Sequence, residues 1–179
     1  MREALVLVVL LSMMTNSNNH KIQYSKQSGI ETSSHENIKD STLVTGWYYI
    51  ATDGGFIRQL EKTDETYALA DETYALDPCP VVTAEDIVEL NISENRWKQL
   101  MLVMRFGKRG TQAWSIATKK AIGKELAFVL NDRLLYVPQV HNQITSGVSA
   151  FSRLDYTKSE LEEIKQAIEI NKQVVETVK

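Results

Sequence analysis

Cysteine is nearly absent. Cys79 stands alone in 179 residues, so no internal disulfide framework and no cysteine-rich zinc site can form. It lies between Pro78 and Pro80 and reads as a small residue packed beside them. No run of 18 or more apolar residues occurs, which leaves no candidate transmembrane helix. A net charge of only −3 provides neither a basic footprint for nucleic acid nor a polybasic attraction to anionic lipid. A Gly-rich phosphate loop, H-E-x-x-H, paired cysteines and G-x-S-x-G are all missing, so the residues call for no cofactor and no metal. What is present is ordinary: 43% hydrophobic and 24% charged residues fit one globular domain with an appendage.

The appendage is N-terminal. Arg2 precedes an apolar run from Ala4 to Leu11, which Met13 and Met14 extend. The run is about eleven residues long, against the ~20 that a hydrocarbon core requires. Residues 1–15 therefore read as a signal peptide or N-terminal hydrophobic anchor, the alternative being a first strand or helix buried in the domain. No cysteine follows to carry lipid. Residues 16–42 are rich in Ser, Asn, Lys and Gln without periodicity; they read as a disordered linker in which His20 and His35 are solvated. This organisation predicts an exported protein, periplasmic or extracellular.

The folded region is expected over residues 43–179. Thr45–Ile50 reads as a strand, Asp53-Gly54-Gly55 as a turn and Phe56–Leu60 as the return strand of a hairpin. Asp64–Leu69 recurs as Asp71–Leu76, a seven-residue duplication of which one copy is expected in a strand and the other in a loop or helical turn. Pro78 and Pro80 end that element. Thr83–Asp86 has the character of a helix start; Ile87–Ile92 and Leu100–Phe106 read as strands joined by a loop over Ser93–Lys98. A helix is predicted over Thr111–Ile122 with Trp114, Ala117, Ala121 and Ile122 on its apolar face and Gly123 after its end. Glu125–Leu130 and Arg133–Val137 flank Asn131-Asp132, which suits a type I′ turn. Val148–Leu154 reads as a strand, and Thr157-Lys158-Ser159-Glu160 is a capping box opening a last helix. The order ββαβββα predicts an α+β fold: a mainly antiparallel sheet with two helices on one face. Its other face is solvated or covered by residues 45–80.

Residues that bear chemistry are few. Asp64, Glu65, Asp71 and Glu72 lie in the duplicated polar segment and read as a solvated face. Lys108-Arg109 and Lys119-Lys120 suit solvation or dipole compensation. The tryptophans and tyrosines are expected to fill the core. His141, beside Asn142 and Gln143, is a base only if a partner converges on it.

From Gly107 onward the chain resembles the head of the first extracytoplasmic domain of the SecD protein-export subunit, most clearly over 107–170. Gly110, Trp114 and Thr118 match the family's Gly-x-x-x-aromatic-x-x-x-Thr helix, and Ile122–Leu130 its I-G-K-x-L-A strand. Asn131–Pro138 stands at its D-G hairpin, Ile144–Gly147 at its I-T-G-G loop and Tyr156–Glu160 at its F-T-x-x-E helix start. The resemblance implies a head that holds emerging polypeptide, without the membrane helices that would drive pulling. A non-enzymatic, exported binding module follows, using a sheet edge or face or the loop Gln139–Val148. Gln139, His141, Asn142, Thr145 and Gly147 are its candidate binding residues and a protein or unfolded polypeptide its partner. The alternative is a small secreted hydrolase or ligand-binding protein with a site near His141.

Overall fold

The computed structural model describes residues 42–61, 72–152 and 156–177, with side chains to Gln173; all lie in the unit from Asn37 to Lys179. The apolar run Ala4–Leu11, the polar stretch up to residue 41 and the first copy of the duplication fall outside these residues.

The chain is α+β with antiparallel strand pairing, and from Ile87 onward it follows the expected ββαβββα order. Among the described residues the strands divide between three sheets where one was expected. The first contains β1 (Gly46–Tyr49), β4 (Val82–Thr83), β7 (Leu126–Leu130) and β8 (Arg133–Tyr136) in the order β4-β1-β7-β8. The second pairs β2 (Phe56–Gln59) with β3 (Thr73–Leu76), and the third runs β5 (Ile87–Glu94), β6 (Leu100–Phe106), β9 (Val148–Phe151).

The expected hairpin between Thr45–Ile50 and Phe56–Leu60 does not form. Both edges of β1 are already taken, by Val82-Thr83 on one side and by Leu126–Val129 on the other. Gly46 permits the first approach, since a Cβ there would fall 2.3 Å from the Val82 carbonyl oxygen. Beyond a turn with positive φ at Gly54 and Gly55, β2 instead pairs with the second copy of the duplicated segment, Phe56 opposite Leu76 and Gln59 opposite Thr73.

These pairings give the four-stranded sheet two covered faces. On one face Trp47, Leu126, Phe128 and Leu130 meet the third sheet and both helices. On the other, Tyr48, Ala127, Val129 and Leu134 are covered by Leu76 and the flanking Phe56 and Tyr74. Helix α1 (Lys108–Lys120) buries Gly110, Trp114, Ala117 and Thr118 in the first core. It starts three residues before the expected Thr111 and ends before Ile122, which is half exposed. Helix α2 (Lys158–Thr177) buries Leu161, Ile164 and Ile168 there. Its capping box is complete: the Thr157 N–H donates to Glu160 Oε2 at 2.7 Å, and the Glu160 N–H to Thr157 Oγ1 at 3.3 Å.

Asn131 and Asp132 take φ of 49° and 69°, the left-handed pair that closes the β7–β8 turn. A register shift between Phe128 and Val129 then sends both Leu135 and Tyr136 to the first core. Trp97 departs from expectation: it is exposed in the β5–β6 loop, with the Arg96 guanidinium 3.9 Å from its ring centre. Cys79 is exposed as well, in a turn where its N–H donates to Asp77 Oδ1.

Candidate functional site

The segment from Pro138 to Gly147 has little secondary structure of its own, so its backbone groups find partners elsewhere. Val140 is fixed at both ends of its peptide unit: its N–H donates to the Lys124 carbonyl and its carbonyl accepts from Gly123, each at 2.8 Å. Further along, the Ile144 N–H donates to Thr118 Oγ1 at 2.9 Å, and that hydroxyl donates to the Trp114 carbonyl at 2.8 Å. Gln143 Nε2 reaches Ser115 Oγ at 2.9 Å. At its far end the loop turns into β9 at Gly147, whose φ is +67° and whose missing Cβ would sit 2.1 Å from Thr111 Oγ1. The segment is thus tied to the turn after α1 at Val140 and to α1 itself at Gln143, Ile144 and Gly147.

Between this loop, α1, β9 and the four-stranded sheet lies a cleft of about 340 Å³. Trp47 and Leu126 of the sheet and Trp114 and Thr118 of α1 line it on one side. Val140 and Ile144 line the loop side, and Ser149 and Ala150 the β9 side. No Asp, Glu, Lys, Arg or Cys lines the cleft. The Trp47 and Trp114 rings meet at a tilt of 51° with centroids 5.0 Å apart and are 1% and 3% exposed; neither Nε1–H has a hydrogen-bond acceptor among the described residues. A buried donor left unpaired costs about 1–3 kcal/mol.

The β9 wall is also an edge. β9 pairs with β6 alone among the described strands. The Phe106 N–H donates to the Gly147 carbonyl, and the register places Ser149 opposite Met104 and Phe151 opposite Leu102. Antiparallel alternation therefore turns the backbone groups of Gly147, Ser149 and Phe151 toward β6 and those of Val148 and Ala150 outward. Two residues of unpaired N–H and C=O thus border an apolar cleft.

Of the candidate residues, Gln139, His141 and Asn142 line the cleft and are exposed at it. Thr145 is exposed and Gly147 buried, and neither is among the lining residues. No carboxylate of the lining stands by His141 to orient it as a base. Sequence reasoning passed over Thr118, Trp114 and Trp47 as site residues. The spacing of four between Gly110, Trp114 and Thr118, which puts all three on one helix face, was the available signal for two of them.

A larger hollow of about 630 Å³ lies beside Leu43, Thr45, Ala84 and Ile170. No unpartnered buried polar side chain lines it, so the smaller cleft has the stronger claim.

A family model, SecDF, P1 head subdomain, matches residues 60–164. Among solved structures, a crystal structure of SecDF in a super-membrane-facing form is 17% identical over 73% of this chain, with a TM-score of 0.55. A structure of SecDF as a membrane component that enhances protein export is 19% identical over the same share, also at 0.55. At these identities the likeness establishes the fold. The chain spans 18% of the first and 64% of the second. Comparison with curated proteins gives no match.

Proposed function

The chain belongs to the SecDF P1 head subdomain family, and from that premise we propose that it is a non-enzymatic module that holds unfolded polypeptide in association with protein export. The observation that carries this reading is the β9 edge, unpaired among the described strands, beside a mainly apolar cleft without Asp, Glu, Lys or Arg in its lining. Strand addition suits such a task because it recognises backbone, which every unfolded chain offers. Val148 and Ala150 provide up to four hydrogen bonds, each worth about 0.5–1.5 kcal/mol net. Set against the cost of association, that sum gives weak, reversible capture. Weak capture is what a handler of passing chains needs.

The work is done outside the cytoplasm, with residues 1–15 serving as signal or anchor and 16–42 as linker. None of the helices in the described residues is long and apolar enough to cross a membrane. The resemblance to part of an export component favours association with export over a free-standing role.

The test is Ala150→Pro in the full chain. Proline removes one outward N–H without touching the bonds to β6, and an edge strand tolerates it. Binding of a fluorescent, permanently unfolded polypeptide should weaken about tenfold or more, a loss of ~1.4 kcal/mol, with the urea midpoint little changed. Undiminished binding by the folded variant would sink the edge reading.

A further inference from the structure

Of the three tryptophans, Trp97 alone is exposed, at the turn between β5 and β6. We propose that this turn is a contact point for an anionic phospholipid surface. Trp97 enters the headgroup region, and Arg96 and Lys98 pair with lipid phosphates. The contact uses neither β9 nor the cleft, so it stands apart from the polypeptide-binding reading.

The turn projects from the fold. Among the described residues β9 pairs with β6 only from Leu102 to Arg105. The last two pairs of the β5–β6 hairpin, Ser93 with Met101 and Glu94 with Leu100, therefore run past it. At the end Trp97 is 64% exposed, although the Arg96 guanidinium lies over its ring. Most of a large apolar ring is thus held in water, without the burial that Trp47 and Trp114 obtain in the core.

The turn also bonds itself. Asn95 Oδ1 accepts from the Trp97 N–H at 2.8 Å and from the Gln99 N–H at 3.0 Å, and Asn95 Nδ2 donates to Gln99 Oε1 at 2.8 Å. The Asn95 N–H donates to the Gln99 carbonyl at 2.9 Å and the Lys98 N–H to the Asn95 carbonyl at 3.0 Å. Of the N–H groups from Asn95 to Gln99, only that of Arg96 is not used in these bonds. Unpaired backbone groups are what a water-poor lipid environment penalises, so this turn leaves bulk water easily and brings the ring in a fixed pose.

Charge and area decide the occupant. The net charge of −3 gives the chain no general attraction to anionic lipid, but cations flank the ring on both sides. Lys98 meets Glu94 at 3.4 Å, yet its side chain is 87% exposed, and such a pair is weak enough to yield Lys98 to a phosphate. Tryptophan settles at the headgroup level of a bilayer, and Arg and Lys beside it reach the phosphates. A protein partner asks for more surface: one tryptophan offers about 150–250 Å², against ~800 Å² a side in a stable interface. The adjoining Ser93, Glu94 and Arg96 are exposed polar residues that add no apolar rim. Attachment to a bilayer has no such threshold, since it grows with apolar area and charge from small values upward.

The experiment adds vesicles to the full chain and reads Trp97. Residues 1–15 include an apolar run that can bind lipid by itself, so sedimentation alone does not report the turn. Vesicles of phosphatidylglycerol and phosphatidylcholine in equal parts, with brominated acyl chains, should quench Trp97. Its signal is the difference between the protein and Trp97→Phe, because Trp47 and Trp114 are buried beyond the reach of bromine. Arg96→Gln combined with Lys98→Gln should weaken the quenching titration about tenfold or more. Raising the salt from about 0.1 M to about 1 M, which shortens the Debye length from ~10 Å to ~3 Å, should act in the same direction. Urea midpoints should stay unchanged, since all three side chains are exposed. Ala150→Pro, which tests polypeptide binding, should leave the quenching intact. Vesicle binding without quenching of Trp97 would place the contact elsewhere and overturn the proposal. Equal quenching by phosphatidylcholine alone would remove the role of the two cations. Absence of binding to either vesicle would end the lipid reading outright, and shielding of Trp97 from iodide by delipidated envelope protein would then assign the turn to a protein.

Discussion

At the scale of residues, Asp132 does more than fill a turn. Its Oδ1 accepts from the Leu43 N–H at 2.8 Å and from Arg58 Nε at 3.0 Å, joining the start of the described chain and β2 to the β7–β8 turn. Burial alone would raise its pKa, but those two donors outweigh burial and hold it below the usual carboxylate range. The same carboxylate helps to push the nearby Tyr48 phenol up to about 12, an effect owed first to burial. A depressed carboxylate stabilises the fold fully above its unfolded pKa, near 3.9. That stability is lost as pH falls through the lower folded value. Asparagine tolerates the left-handed turn position but cannot ionise. The stability difference between the protein and Asp132→Asn, from urea midpoints, should thus be constant above about pH 4 and shrink as the pH falls further. A difference that holds at pH 2 would mean that the charge is not what matters there.

At the scale of elements, the loop between β8 and β9 depends on one buried hydroxyl. Thr118→Val keeps the shape but removes the acceptor for the Ile144 N–H and the donor to the Trp114 carbonyl. The expected cost is about 1–3 kcal/mol, with faster amide exchange over residues 139–146 and unchanged exchange in β7. Uniform protection in both would show that the loop stands without Thr118. Local elements were the legible part of this protein. Asn131-Asp132 announced its turn and Thr157 with Glu160 its cap, because both signals act within four residues. The partner of β1 was not legible, since an apolar strand does not encode which of several strands it joins. Nor was the cleft beyond its loop residues: Gln139, His141 and Asn142 were visible as polar loop positions. By contrast, Trp47, Trp114 and Ala150 come together only through tertiary contact.

At the scale of the whole described unit, one sheet serves two cores. Trp47 and Tyr48 are neighbours on β1 yet face opposite sides, one toward the helices and the other toward the β2–β3 sheet. The two cores should therefore melt together. Leu76→Ala, at a fully buried position of the smaller core, should cost about 2–5 kcal/mol. Tryptophan fluorescence from the larger core should follow the same lowered transition as far-ultraviolet circular dichroism; separate transitions would show that β2 and β3 are an independent unit. The sharing of β1 has a kinetic side too. Thr45, just before β1, bonds to the Asn131 amide across 86 residues, and the Asn171 carboxamide bonds to Asn131 in turn. Contacts of such high sequence separation slow folding, because loop closure comes before any reward. A chain appearing N-terminus first must leave β1 without its β7 partner until Leu126–Leu130 has also appeared. Until then the four-stranded sheet has no centre, and the molecule that we propose handles unfolded chains passes through a long interval as one.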